Sequence, residues 1–282
     1  MKTHTRFLAL AAALTLFAGG VSAQKLRAED VLAKHLDSIG TAAARAALKS
    51  RIAVGEASAK FISTKDQVVS GRVVFASEGT KSFVGMNMNS TLYPGERFIY
   101  DGSKASVGYV QVNNRSVLGN FVQSNNMLIE SGLLGGTLST GWALQNLATV
   151  KGKLSFDGMK KIDGKEVYVL GYSPKGGGDL DISLYFDKET FRHVRTEYKR
   201  RSSAGIGALP EDSTRFSETR LKLTEDFTDF KTDNNITFPQ KYRIFYSSSG
   251  QAGTTEVEWD FSLTEFAFNP KLDPKTFEIA AN

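Results

Sequence analysis

The polar residues that commonly carry catalysis are few in this sequence. Its 282 residues include three histidines and no cysteine, which leaves few candidates for a nucleophile, a general base or a zinc ligand. His193 alternates with Arg195 and Glu197 along one predicted strand, so we expect the three side chains to share a solvent-facing side. His35 lies among apolar residues of a predicted helix, as is typical of a hydrogen-bonded histidine at the edge of a core.

The glycines and acidic residues do not complete a catalytic or ligand-binding motif. The sequence has no G-x-S-x-G elbow, no Walker A loop and no H-E-x-x-H. The glycine-rich stretch 132–136 lacks the lysine and the preceding strand that phosphate binding requires. The aspartates at 157–181 lack the spacing of a calcium-binding loop. The sequence therefore predicts no enzymatic activity, no catalytic residue, no metal site and no cofactor.

The apolar residues indicate a function more strongly than the polar ones. Residues 115–148 are an apolar segment rich in Gly and Ser, which interrupts a regular series of predicted strands. Its large apolar side chains include the candidate ligand-binding residues Phe121, Met127, Leu128, Leu133 and Trp142. These side chains could form a lid over a lipid cavity, because methionine adapts to varied ligands and the flanking glycines permit movement. They could equally fill the interior as core, since pockets and cores are both apolar.

A second group of candidates lies on a predicted strand. Val84, Met86 and Met88 share one face of that strand by the two-residue period, whereas Asn87 and Asn89 face the other side. The three apolar residues would line the concave side of a half-buried sheet. Packing in the core is the alternative, and it is the more common fate of an apolar strand face.

Residues 1–23 contain the three regions of a secretory signal peptide. Lys2 and Arg6 form a basic start, residues 7–18 are an apolar run, and Val21-Ser22-Ala23 supplies small side chains before a cleavage site. The run is shorter than the ~20 residues that a transmembrane helix needs. The absence of cysteine excludes a lipoprotein anchor. We expect cleavage after the triplet and a mature protein that is soluble in the periplasm.

The charge balance argues against nucleic acid as a partner. The chain has 35 Lys+Arg and 30 Asp+Glu, and removal of the signal peptide takes away two basic residues, so the mature chain has a net charge of 33 − 30 = +3. The cluster Lys199-Arg200-Arg201 could contact a membrane surface transiently. Such a run is more often a solvated strand end.

The remaining pattern predicts a mainly β fold. A helix carries Val31 and Ile39 on one side and ends at Gly40, and Thr41 is the predicted N-cap of a second helical turn. Alternating residues then predict twelve strands at 51–63, 67–78, 81–90, 96–101, 105–112, 152–160, 165–173, 179–187, 191–202, 217–231, 236–248 and 253–267. No linker or repeat divides the chain, so we expect a single domain over residues 24–282.

The order of these elements resembles a known family. The resemblance is carried by AEDVLAKHLDSIGTAAARAALKSRIAVGEA at 28–57, VYVLGYSPKGGGDLDISLYFDKETFRHVRTEY at 167–198, FTDFKTDNNITFPQKYRIFY at 227–246 and NPKLDPKTFEIAAN at 269–282. Together these segments resemble the outer-membrane lipoprotein carrier (LolA/LolB-like) superfamily, especially its less characterised periplasmic members. The resemblance implies a half-open antiparallel β-barrel with an N-terminal helix and a helical or loop lid. It also implies that an apolar concave face can hold acyl chains.

We therefore expect a periplasmic carrier or binding protein for a lipid, a lipoprotein acyl chain or another hydrophobic ligand. Its partners would be a lipid or a lipidated protein, with transient contact to a membrane surface or an envelope protein. The alternative is a non-enzymatic interaction or accessory protein of the cell envelope, whose barrel is filled by its own side chains.

Overall fold

This computed structural model describes five stretches of the chain. They are residues 26–64, 66–109, 115–202, 219–251 and 253–279. The predicted signal peptide, residues 1–23, lies outside the described residues.

Twelve strands form one antiparallel sheet within these stretches. In chain order they are β1 Ser50–Phe61, β2 Gln67–Glu78, β3 Lys81–Met88, β4 Glu96–Tyr100, β5 Ala105–Tyr109, β6 Lys153–Ile162, β7 Lys165–Ser173, β8 Asp181–Asp187, β9 His193–Ser202, β10 Thr219–Asp233, β11 Ile236–Gly250 and β12 Gly253–Phe268. Each of them overlaps one of the twelve predicted strands, which confirms the prediction from alternation.

The sheet is open. Its strand order is β5-β4-β3-β2-β1-β12-β11-β10-β9-β8-β7-β6, so β5 and β6 are its two free edges. Strands that follow one another pair with one another, except across the 115–150 segment, and the first strand, β1, pairs with the last, β12. The fold is therefore mainly β, as predicted, and its unclosed antiparallel sheet fits a half-open barrel.

Five α-helices and two 3-10 turns accompany the sheet in the described residues. They are α1 Ala28–Ile39, α2 Ala42–Ala47, α3 Val117–Ser124, α4 Met127–Glu130, α5 Leu147–Val150 and the 3-10 turns Gly136–Leu138 and Pro274–Phe277. Within the same ranges, no helix combines the length and apolarity needed to cross a membrane.

The two N-terminal helices form as predicted. The backbone N–H of Arg27 donates to Asp30 Oδ2 at 3.0 Å, which fixes the first turn of α1. Gly40 follows the last residue of α1. Thr41 Oγ1 then accepts the backbone N–H of Ala44 at 3.2 Å, so Thr41 is the N-cap of α2.

Short turns with positive φ connect the paired strands. Asp163 and Gly164 have φ of 50° and 80° between β6 and β7. Asn234 and Asn235 have φ of 48° and 60° between β10 and β11. Asn, Asp and Gly tolerate this region, and two such residues in succession make a turn that suits the twist of an antiparallel pair.

The two faces of the sheet differ in character. On the outer face, Asp226 accepts from Arg195 Nε at 2.5 Å and from Arg243 Nη2 at 3.0 Å, which links three neighbouring strands by ion pairs. The other face, called the inner face below, is apolar. Its buried side chains include Ala53, Ala57, Val73, Phe75, Met86, Phe98, Tyr198, Phe227, Tyr242, Trp259 and Phe261.

Candidate functional site

A separate segment of the chain covers the inner face. Residues 115–150, called the plug segment below, contain α3, α4, the turn Gly136–Leu138 and α5. Its helices are short because capping residues and glycines punctuate it. Ser116 Oγ accepts the N–H groups of Leu118 and Gly119 at the start of α3. Gly132 and Gly135 have φ of 70° and 79°, which few other residues adopt.

The structure brings the eight predicted ligand-binding residues into one apolar cluster. Met86, Met88, Phe121, Leu128, Leu133 and Trp142 are buried in it, and Val84 and Met127 are half-buried against it. The ring of Phe121 lies 6.5 Å from that of Tyr198 and 6.3 Å from that of Tyr246, measured between centroids. The plug segment therefore packs on the inner face as a core does.

Little space remains between the plug segment and the sheet. A cavity of about 20 Å³ lies between the β2–β4 strands and the middle of the plug segment, and Val84 is its one lining residue from the predicted set. This volume holds about one water molecule. An acyl chain needs more room than this cavity offers, and this covered arrangement of the inner face is called the closed state below.

Arg51 of the sheet donates hydrogen bonds to the plug segment. It is the second residue of β1, faces inward and is 2% exposed. Its Nε donates to the carbonyl of Leu138 at 3.1 Å, and its Nη2 donates to the carbonyl of Thr137. Burial lowers the pKa of Arg51 to about 10, so the guanidinium stays charged at neutral pH.

Glu225 holds the other end of the same turn. Its carboxyl group is buried on β10 and accepts the backbone N–H of Gly135 at 2.7 Å. The hydroxyls of Tyr198 and Tyr242 donate to its two oxygens at 2.6 and 2.5 Å. Burial raises the pKa of Glu225 to about 7, and these three donors moderate that rise.

Residues 135–138 are thus bound at both ends by buried ionisable groups. The N–H of Gly135 lies at the start of the turn and the carbonyls of Thr137 and Leu138 lie at its end, where the backbone groups of helical turns generally need partners from outside the turn. The Glu225 carboxyl group accepts the N–H, and the Arg51 guanidinium donates to the carbonyls. The polar anchors therefore fix the register in which the plug segment lies on the sheet.

Two buried histidines surround Trp142 of the plug segment. His35 Nε2 accepts the indole N–H of Trp142 at 3.0 Å, and His35 Nδ1 donates to the carbonyl of Phe191 at 3.1 Å. His35 is therefore a hydrogen-bonded core histidine, as predicted. The ring of His193 stacks on Trp142 with centroids 4.8 Å apart. Burial lowers the pKa of His35 to about 4 and that of His193 well below its ordinary value, so both rings are neutral at pH 7.

The predicted solvent exposure of His193 is wrong. His193 is 1% exposed and faces inward, although Arg195 and Glu197 face outward as predicted. A β-bulge is the reason, because Tyr185 pairs with Arg195 whereas Phe186 pairs with His193, which leaves one extra residue on β9. The extra residue reverses the alternation on one side of it.

A further anchor holds the start of α3. Glu96 on β4 is fully buried, and its carboxyl group accepts the N–H of Ser116 at 2.7 Å and the hydroxyl of Ser116 at 2.8 Å. The hydroxyl of Tyr93 contacts the same carboxyl at 3.3 Å and accepts the indole N–H of Trp259 at 3.0 Å. Burial raises the pKa of Glu96.

The polar anchors were missed in the sequence, although alternation contained the signal for two of them. Glu225 lies between Leu223 and Phe227 at the two-residue period, and Arg51 precedes Ala53 in the same way. That spacing places both ionisable residues on an apolar side. The partners of Glu225 and Arg51 lie about 90 residues away along the chain, and spacing alone does not indicate them.

Two further candidate features of the sequence are a metal site and the basic cluster Lys199-Arg200-Arg201. No group of three or more His, Asp or Glu residues within the described stretches is placed to hold a metal ion. In the basic cluster, Lys199 pairs with Glu197 at 2.5 Å and Arg200 with Asp179 at 3.1 Å. These two cations therefore belong to ion pairs of the strand.

The sequence matches no protein-family model and no curated protein. A DUF1329 family protein from Desulfovibrio piger is similar in structure, with 12% identity, a TM-score of 0.42 and coverage of 89% of this chain and 96% of that one. A putative outer membrane lipoprotein-sorting protein domain from Vibrio parahaemolyticus gives 13% identity, a TM-score of 0.42 and coverage of 88% and 96%. The complex of MucB with MucA from Pseudomonas aeruginosa gives 8% identity, a TM-score of 0.23 and coverage of 83% of this chain and 94% of that one. Similarity at this level does not transfer a function.

Proposed function

We propose that this chain is a periplasmic carrier or binding protein for a hydrophobic ligand, such as a lipid or the acyl chain of a lipidated protein. The ligand binds on the inner face of the open sheet after the plug segment moves away from it. On this proposal the chain is exported by means of its predicted signal peptide, and it belongs to the LolA/LolB-like superfamily. It involves binding and release only, with no covalent chemistry.

The observation that supports this function most directly is the way the plug segment covers the inner face. The segment is a local stretch of 36 residues, since it runs from 115 to 150, and it contributes no strand to the sheet. It lies on the sheet through apolar side chains and the polar anchors Arg51, Glu225 and Glu96, and His35 of α1 holds Trp142 from the side of the helix. Its displacement would expose a continuous apolar face and leave the strand ladder intact.

The energetics favour exchange of one apolar layer for another. Each CH₂ group that leaves water contributes about 0.8 kcal/mol, so an acyl chain of ordinary length could replace the contacts of the plug segment. The displaced side chains of the segment would meet water unless they contact a membrane or a protein. Opening is therefore favoured at such a surface, which gives a carrier a reason to load and release its cargo there.

The alternative function is an interaction or accessory protein of the cell envelope whose interior stays filled. The small cavity of about 20 Å³ and the burial of Phe121, Leu128, Leu133 and Trp142 favour it. On this alternative the plug segment never leaves the sheet. The two functions differ in one measurable property, the mobility of the segment.

A disulfide lock tests the carrier function. The chain has no cysteine, and Ser77 Oγ on β2 accepts the N–H of Thr140 in the plug segment at 3.0 Å. We expect the double variant Ser77→Cys/Thr140→Cys, once oxidised, to bind no N-phenyl-1-naphthylamine and to carry no lipid in native mass spectrometry. The same protein after reduction should bind both, because the segment can then move.

The controls are the two single cysteine variants, which should bind the probe with and without oxidant. Mass spectrometry verifies the cross-link before binding is measured. Equal binding by the oxidised and reduced double variant would exclude displacement of the plug segment. Failure of the wild type to bind any lipid would favour the accessory function.

A further inference from the structure

Arg51 is a buried cation, and its counter-ion is absent from the described part of the chain. No carboxylate in the described part of the chain pairs with it, and its partners are the neutral carbonyls of Thr137 and Leu138. A buried charge is stable only while hydrogen bonds satisfy it. When the plug segment leaves the inner face, these two acceptors leave with it.

A ligand made only of hydrocarbon would not replace the two hydrogen bonds that Arg51 loses when the plug segment leaves. Apolar contacts replace the side chains of the plug segment, yet they offer no acceptor to a guanidinium. The geometry therefore selects a ligand that carries an acceptor group, and a negative one has the advantage of neutralising the buried charge. Carboxylate and phosphate groups match the planar guanidinium best.

The position of Arg51 suits a ligand whose head group lies at the guanidinium and whose acyl chain runs along β1. Arg51 is near the beginning of β1, at the rim of the sheet, and the inward positions that follow include Ala53, Ala57 and Ala59, all buried. At about 3.3 Å per residue, Arg51 to Ala59 spans roughly 26 Å, the scale of a long acyl chain. Alanine is small, so a chain that lies along these positions can approach the backbone of β1 closely.

We propose that the ligand of the inner face is an anionic amphiphile, whose negative group binds to the guanidinium of Arg51 and whose acyl chain lies along β1. This inference rests on the function proposed above. In the closed state the carbonyls of Thr137 and Leu138 take the place of the ligand's negative group. Glu225 binds the other end of the same turn by accepting the N–H of Gly135, and the hydroxyls of Tyr198 and Tyr242 donate to the Glu225 carboxyl group.

The test compares amphiphiles of one chain length and different charge. Displacement of N-phenyl-1-naphthylamine from the mature protein is measured with dodecanoate, dodecan-1-ol and dodecyltrimethylammonium. The pH is about 6, where a carboxylic acid is ionised. We expect dodecanoate to bind about tenfold or more tightly than dodecan-1-ol, as charge-assisted hydrogen bonds require. The cation should bind most weakly. Acetate alone should displace no probe, because it brings no chain to replace the plug segment.

The variant Arg51→Gln should reduce the preference for dodecanoate over dodecan-1-ol to about unity. The preference is the quantity to measure because loss of Arg51 also weakens the closed state, and that effect changes the binding of both ligands alike. Arg51→Lys should retain part of the preference. Arg72→Gln is the matched control, since Arg72 lies on β2, is 67% exposed and should leave the preference unchanged.

The outcomes distinguish failure of this inference from failure of the function on which it rests. Equal binding of dodecanoate and dodecan-1-ol by the wild type overturns the inference and leaves the carrier function standing. A preference that survives in Arg51→Gln places the negative group elsewhere and also overturns it. Displacement by acetate alone shows a site for small anions instead. If no amphiphile displaces the probe, the carrier function fails and the inference fails with it. Should Arg51→Gln not fold, the wild-type charge series and Arg51→Lys decide.

Discussion

At the scale of single residues, the carboxyl group of Glu225 couples the stability of the protein to pH. Burial raises its pKa from the ordinary value of 4.5 to about 7. Between these two values the folded protein keeps a proton that the unfolded chain has lost. The contribution of this group to the free energy of unfolding therefore falls as pH rises through that window and is constant above it.

We predict that Glu225→Gln flattens this pH dependence. The amide keeps an oxygen that can accept the N–H of Gly135, and it has no proton to lose. Relative to the variant, the wild type should lose roughly 3 kcal/mol between about pH 5 and pH 8. His35 and His193 act in the opposite direction below about pH 6.5, but they do so in both proteins, so the difference between the two profiles isolates Glu225. Urea unfolding at several pH values measures the difference.

Glu56→Gln is the matched control, because Glu56 lies on the exposed side of β1. Its pH profile should follow that of the wild type. A difference between wild type and Glu225→Gln that stays constant over this window would contradict the role assigned to the buried carboxyl group.

Residue positions could be read from the sequence only where the alternation is regular. Val84, Met86 and Met88 face inward as the two-residue period predicts. His193 faces inward against that prediction, because a bulge on β9 is a property of strand pairing and has no unambiguous signal in one strand. The pairing of Glu225 with Gly135 depends in the same way on how distant elements meet.

At the scale of elements, the strands and the apolar segment that interrupts them were predictable, whereas most of the short helices in that segment were not. Each hairpin has a local turn signal and an alternating pattern, so its strands can be read without knowledge of the rest. The helices α3, α4 and α5 are eight, four and four residues long. Isolated helices of this length are unstable in water, so their formation depends on packing against the inner face.

We predict that Gly132→Ala loosens the plug segment. Gly132 has a φ of +70°, and a Cβ there would lie 1.9 Å from the carbonyl oxygen of Gly141, another residue of the segment. The left-handed conformation costs about 1–2 kcal/mol for alanine, and the collision adds about 1–3 kcal/mol. Hydrogen exchange should become faster in residues 115–150 while the strands keep their protection.

Gly164→Ala is the control for backbone conformation alone. Gly164 has a φ of +80° in the β6–β7 turn, and no described atom lies within 4 Å of its Cβ position. It should cost about 1–2 kcal/mol without any change in the plug segment. Equal exchange in the plug segment of both variants would show that the contact with Gly141 does not hold it.

At the scale of the whole molecule, the sheet and its cover are distinct parts. Pairing of β1 with β12 joins the first and last strands of the sheet, and the two free edges lie at β5 and β6 on either side of the plug segment in the chain. The sheet is therefore continuous without the segment. On the carrier function proposed above, this sheet would keep its ladder of hydrogen bonds when the plug segment leaves.

This separation leads to opposite signals in two measurements on one sample. Saturation with an anionic amphiphile at about a hundred times its Kd should raise the Tm by roughly 5–10 °C, because the ligand binds the folded state alone. The same ligand should accelerate hydrogen exchange in residues 115–150, because those residues leave the inner face. A protein that binds the ligand elsewhere on its surface would gain stability while the plug segment kept its protection. A rise in Tm with unchanged exchange in the plug segment would therefore exclude displacement, and the oxidised Ser77→Cys/Thr140→Cys variant should show neither effect.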